Sequence, residues 1–189
     1  GISVTNPITD ESEPMRIFTV AAAAVMLAAA IEAPVAQQPA APVLRQAATN
    51  PAAFIVPATE IGLLQLAIAR LAVARTRDTD IARFGNYVTQ VFNGANQAVA
   101  MAAGDIEPPR ALDRDRQGLY DALEREGDAT FDDAYLRLQG RGIDEAITLY
   151  SGYARAAGPG PLKDAASRYA DDIARLREAY QKLVQAKAR

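Results

Sequence analysis

Six acids on the helical patterns of this chain could hold a metal or move a proton: Glu60, Asp144, Glu145, Asp171, Asp172 and Glu178. Helical bundles bind metals when carboxylates and E-x-x-H pairs on facing helices converge inside. The spacing argues otherwise. Glu145 follows Ile143 by two residues, and Glu178 follows Leu176 by two. Two residues turn a helix by about 200°, so both acids are predicted to leave the apolar seam for a solvated face. The chain has no histidine and no cysteine. Their absence removes the commonest general base, the commonest transition-metal ligand, and all disulfide, zinc–thiolate and haem-attachment chemistry. Ser151 and Ser167 have no histidine to activate them. Lys163 is the nearby lysine for a Ser–Lys pair and carries no supporting motif. No catalytic residue, metal ligand or cofactor is therefore assigned.

Seven tyrosines remain. Tyr150, Tyr169 and Tyr180 lie on apolar stripes and are predicted to pack in the core with the hydroxyl at the rim. Tyr87 and Tyr153 lie nearer the stripe edges and are the candidate contacts for a partner protein, provided that they are exposed. "GRG" at 140–142 and "GPGP" at 158–161 follow no strand and lack the Lys-Ser/Thr of a phosphate loop. The closing "KLVQAKAR" is mildly basic, as favours a helix C-terminus.

The formal charge of −3 is concentrated at one end. Residues 1–36 hold four acids against Arg16, and the remaining residues hold 19 acids and 19 bases. A neutral body provides no electrostatic drive toward nucleic acid or an anionic membrane. It also removes one barrier to association with another protein. The N-terminus suggests a compartment. "MRIFTVAAAAVMLAAAIEAPVAQQPAAP" begins at Met15 with a base, then 15 apolar or near-apolar residues, then small residues and proline. That is the layout of a secretory signal peptide over 15–36, short for a membrane span of ~20 residues. Cleavage is expected near Ala36, with Pro34 a poor fit at −3, so an uncleaved anchor is the alternative. Membrane contact is expected through that segment alone, and the location is the periplasm. Residues 1–14 begin with Gly and read as a tag remnant or upstream extension. Residues 37–51 are rich in Pro, Ala and Gln and read as a tether to a domain over 52–187.

The domain shows helical periods and no alternating strand pattern. A first helix is expected over 52–76, with Ile61, Leu64, Ile68, Leu71 and Arg75 stepping 3-4-3-4 and Pro57 marking its start. Leu63, Leu66 and Val73 widen this stripe, so much of the helix should be buried. "RDTD" interrupts, and Asp78 or Thr79 caps a second helix that stops at Gly104. Its apolar side is Ile81, Phe84, Val88, Phe92, Ala95 and Val99; its other residues are largely amides and small groups. After "DIEPPRALD" a short helix is predicted over 114–126. A long one follows over 131–156, capped by Thr130, with Asp132 and Asp133 in its first turn. Gly140 and Gly142 fall inside it at about 1 kcal/mol each against alanine, permitting a kink or a close helix contact. Pro161 opens the last helix, where Leu162, Ala166, Tyr169, Ile173, Leu176, Tyr180 and Leu183 step 4-3-4-3-4-3. The expected fold is all-α: an antiparallel four-helix bundle with one short extra helix.

In that frame, residues 52–186 resemble a family of exported bacterial domains of unknown function with a ferritin-like four-helix fold. "ARLAVART" (69–76) resembles the close of the family's first helix. "IARFGNYVTQVFNGAN" (81–96) is similar to F-A-x-x-M-V-x-D-H-x-x-A-N. "FDDAYLRLQGRGIDEAITLY" (131–150) is similar to F-D-x-A-Y-L-x-x-x-V-x-x-H, and "IARLREAY" (173–180) to an L-R-x-H-L segment. The resemblance places the family's aspartate–histidine pair at Val91 and Phe92, and its later histidines at Ile143 and near Ala179. A glutamate of the first helix falls at Gln65. Each position is apolar or an amide here, so the second helix is expected to serve packing. Two functions follow as expectations. One is a non-catalytic periplasmic accessory protein that binds and stabilises an envelope partner, for example as a small subunit of a quinoprotein dehydrogenase complex. The other is a ferritin-like binder of a metal or small ligand through carboxylates alone, in an envelope stress response; it requires three acids converging inside the bundle.

Overall fold

The computed structural model describes residues 50–189. The signal segment, residues 1–14 and nearly all of the tether lie outside the described residues. The described chain forms five helices and, among these residues, no strand. They are α1 (Ala52–Arg75), α2 (Thr79–Ala102), α3 (Arg114–Glu124), α4 (Asp128–Ala156) and α5 (Pro161–Lys187).

Local chemistry explains most of the ends. Asp78 is in an extended conformation, and its side chain accepts the Asp80 and Ile81 N–H groups at 2.9 and 3.1 Å. Those are two of the amides that a helix start leaves unsatisfied. Gly104 follows the α2 C-cap with φ of 61°, a left-handed conformation that glycine adopts without steric cost. Pro161 occupies the first turn of α5, where its missing N–H is not needed.

α1 begins at Ala52, as its expected range of 52–76 has it, so Pro57 lies inside the helix and does not mark its start. Pro57 is the sixth residue of the helix and has no N–H for the Ala53 carbonyl four residues upstream, so α1 forgoes one bond in its second turn. The start of α4 differs from expectation. α4 begins at Asp128, with Gly127 as its cap, so Thr130 is not the cap. The Thr130 hydroxyl instead donates to the Glu126 carboxylate at 2.7 Å, and the acid of the first turn is Asp128. Asp132 serves a tertiary bond, accepting from the Thr76 hydroxyl at 3.0 Å.

α1 packs on α2 and α4, and α5 packs on the other sides of α2 and α4, so the four long helices close a ring. The three-residue connection 76–78 obliges α2 to run back along α1. The connection at 157–160 does the same for α5 on α4. α3 lies across α1 and α4. With three helices against it, α1 is apolar on nearly every side, as a fully surrounded helix should be. By length and composition it could cross a membrane, yet 61% of its most apolar 18 residues are buried inside the protein.

Every residue of the expected α2 stripe is buried, Phe92, Val88, Ala95 and Val99 completely. All but Ile81, which belongs to the second core, join Phe54, Ile143, Tyr150, Ala166 and Ile173 in the larger one. A second core beneath α3 gathers Leu64, Ile68, Leu123, Phe131 and Tyr135. Arg75, expected on the apolar stripe of α1, closes that end differently. Its guanidinium lies 4.2 Å over the Phe131 ring and donates to the Glu124 and Glu126 carbonyls at 2.9 and 2.8 Å. It thereby holds the turn between α3 and α4.

Candidate functional site

The chemistry of the described chain concentrates where α3 covers α1 and α4. At the bottom lies an amide pair. Gln139 Nε2 on α4 donates to Gln65 Oε1 on α1, and both side chains are 0% exposed. Gln65 Nε2 and Gln139 Oε1 have no hydrogen-bond partner among the described residues. Gly142, one turn after Gln139, makes the room. A Cβ there would stand 1.9 Å from Gln65 Nε2, so with any other residue the amide would have to shift from its place against the α4 backbone. That is the close helix contact foreseen for the α4 glycines. Gly140 receives the Tyr180 ring tip in the same way, and the Tyr180 hydroxyl donates to the Leu136 carbonyl at 3.0 Å.

Above the pair stands Arg116, on α3. Its guanidinium reaches Asp113 at 3.0 Å, Glu145 at 3.1 Å and Glu60 at 3.7 Å, with its side chain 18% exposed. Asp113 also caps α3, accepting the Arg116 N–H at 2.7 Å. That backbone bond, then the guanidinium, holds the Asp113 carboxyl below the ordinary carboxylate range. The one gathering of acids around this site is thus occupied by an arginine. Among the described residues no three Asp or Glu side chains are placed to hold a metal ion together. The remaining expected acids Asp144, Asp171 and Glu178 are exposed, while Asp172 is half-buried and pairs with Arg175.

Between these groups is a cleft of about 200 Å³. Ile61, Leu64, Leu119 and Leu138 form its apolar wall, and Gln65 with Gly142 lines it beside Arg116, Arg141 and Glu145. An amide, guanidinium groups and a carboxylate thus stand beside an apolar wall.

The tyrosines divide. Tyr153 is 5% exposed and stacks on Phe54, ring centroids 4.2 Å apart, so its ring packs inside and is out of reach of a docked partner. Its place at the stripe edge is covered because Phe54 on α1 crosses it. Tyr87 is half-buried against the larger core. Tyr150 has no rim hydroxyl: it is wholly buried, edge-on to Phe54, with its hydroxyl unpartnered among the described residues. Tyr135, the tyrosine of the F-D-x-A-Y-L phrase, is equally buried. Burial pushes both phenols well above their ordinary range.

The positions named by the resemblance face inward. Phe92 and Ile143 are 0% exposed, Val91 is 7%, and Ala179 packs against the same core. Gln65 alone among them is polar. Arg116 and Gln139 were not legible as site residues, since each acquires its role from partners on other helices. A weak signal existed in Gln139 and Gly142, which share the α4 face of Leu138 and Ile143.

A family model described as a domain of unknown function, DUF4142, matches residues 33–183. The match begins upstream of α1, within the stretch read as the end of the signal segment and the tether, and ends within α5. No curated protein and no solved structure matches the chain.

Proposed function

The chain belongs to the DUF4142 family of domains of unknown function, and from that premise we propose a non-catalytic periplasmic accessory protein that binds and stabilises a partner protein of the cell envelope. Its four long helices form an antiparallel four-helix bundle of the ferritin-like kind, with α3 as an added cover. One observation carries the proposal. Among the described residues the buried polar side chains are Thr59, Gln65 and Gln139 beside buried tyrosines, the one carboxylate with a buried, unpartnered oxygen is Asp132, which stands alone, and Phe92 and Ile143 fill the interior where ligands would converge. Such an interior suits a scaffold. The evenly balanced charge of residues 37–189 and the exposed Met101, at 81%, suit contact with another protein. Tyr87 is the retained contact candidate, at the edge of the α2 stripe.

The test is purification from the protein's own envelope at native expression, with mass spectrometry of what accompanies it. A stoichiometric companion, lost in a Tyr87→Ala or Met101→Asp variant that folds normally, is expected. Isolation of a lone monomer across mild detergents and salt would overturn the proposal.

A further inference from the structure

We propose that the cleft between α1, α3 and α4 binds a small uncharged molecule, an apolar body of about one ring bearing a carbonyl, with the Gln65 amide as its hydrogen-bond donor. The site is independent of partner binding. Gln65 lines the cleft, is 0% exposed, and keeps Nε2 without a partner among the described residues. Buried donors in folded proteins are nearly always satisfied, so this one points to an acceptor from outside the chain. The neighbouring wall of Ile61, Leu64, Leu119 and Leu138 is apolar, which suits a body that sheds its water on entry. The volume of about 200 Å³ suffices for one ring, since an apolar cavity of roughly 150 Å³ takes up benzene.

The inner wall selects an acceptor: the Gln65 oxygen already accepts from Gln139, so a cation meets only a donor there. Arg116 at the cleft is already held by Asp113, Glu145 and Glu60, and the wall of Ile61, Leu64, Leu119 and Leu138 favours an uncharged body over an anion, which would have to shed its water against it. Entry is past Leu119, which is 41% exposed on the short helix α3.

The test titrates the full chain by amide NMR with acetophenone and three probes of similar shape: ethylbenzene, benzoate and benzylammonium. Acetophenone is expected to shift α1, α3 and α4 resonances around the cleft saturably. It should bind about fivefold more tightly than ethylbenzene, the worth of one net hydrogen bond, and more tightly than either ion. Leu119→Trp, which blocks the mouth from the solvent side, should abolish the shifts. The double variant Gln65→Leu/Gln139→Leu, which removes both amides together, should bind the two uncharged probes equally. The proposal is overturned by equal binding of ethylbenzene to the unaltered chain, by preference for either ion, or by absence of saturable shifts. Persistence of the acetophenone preference in the double variant would overturn it too.

Discussion

A buried amide that makes one bond and leaves one donor free is energetically exposed to any change in its partner. Removing Gln65 alone strands Gln139 Nε2, which is buried and bonds to nothing else among the described residues. Leaving such a group unpaired costs about 1–3 kcal/mol, whereas replacing both partners by apolar groups of similar shape is close to neutral. Gln65→Leu is therefore expected to lower the stability to urea by about 1–3 kcal/mol. Adding Gln139→Leu should recover most of that loss. Two losses that simply add would show that the amides do not act as a pair. Legibility at this scale was uneven. The cap of α2 narrows to Asp78 or Thr79 because capping is satisfied within three residues, and the structure selects Asp78. Arg116 was not legible, because its partners come from positions 60, 113 and 145.

At the scale of elements, glycine has opposite meanings in two helices. Gly142 on α4 accommodates the Gln65 amide, and the Cβ of an alanine would collide with it at 1.9 Å. Gly118 on α3 is exposed, and a Cβ there meets nothing within 4 Å. Alanine gains about 1 kcal/mol over glycine in a helix interior. Gly118→Ala is expected to realise most of that gain. Gly142→Ala should instead destabilise by about 1–3 kcal/mol, because overpacking a dense interior forces neighbours off their rotamers. Thermal unfolding of the two variants should move in opposite directions; a rise in both midpoints would remove the assigned role of Gly142. The helices themselves could be read from the sequence, and so could the start of α1 at residue 52, whereas the start of α4 could not. Thr130 is a good starting residue, but the chain begins the helix earlier, where α4 turns directly off α3 at Gly127.

For the whole molecule, ionisation confines stability from both sides. Lys187, near the end of α5, pairs with Asp78 at the corner between α1 and α2. The Lys187 hydrogen bond, aided by the Ile81 and Asp80 amides, depresses the Asp78 carboxyl. Its contribution is complete above the unfolded value of about 3.9 and is lost as pH falls through the lower folded value. The same pair raises Lys187, whose contribution is complete below about 10.4 and lost as pH rises through the raised folded value. Tyr135 and Tyr150 are raised by burial, so theirs is complete below about 10 and lost above it. With no histidine in the chain, urea midpoints are expected to form a plateau from roughly pH 5 to 8, falling at acid and alkaline pH. Lys187→Ala should soften the acid fall. A slope inside the plateau would mean that a group outside these pairs governs stability.

The sequence by itself determined the helical class, the apolar face of α2, a cap at Asp78 or Thr79, the Gly104 stop and the Pro161 start. Each depends on residues within a few positions of one another, as helical hydrogen bonds and periodicity do. Tertiary structure alone decided that Gln65 meets Gln139, 74 residues away, that Arg116 collects three acids, and that Tyr153 is covered by Phe54. Period and propensity say which side of a helix is buried. What that side buries against is set by which helices become neighbours, and no single segment carries that information.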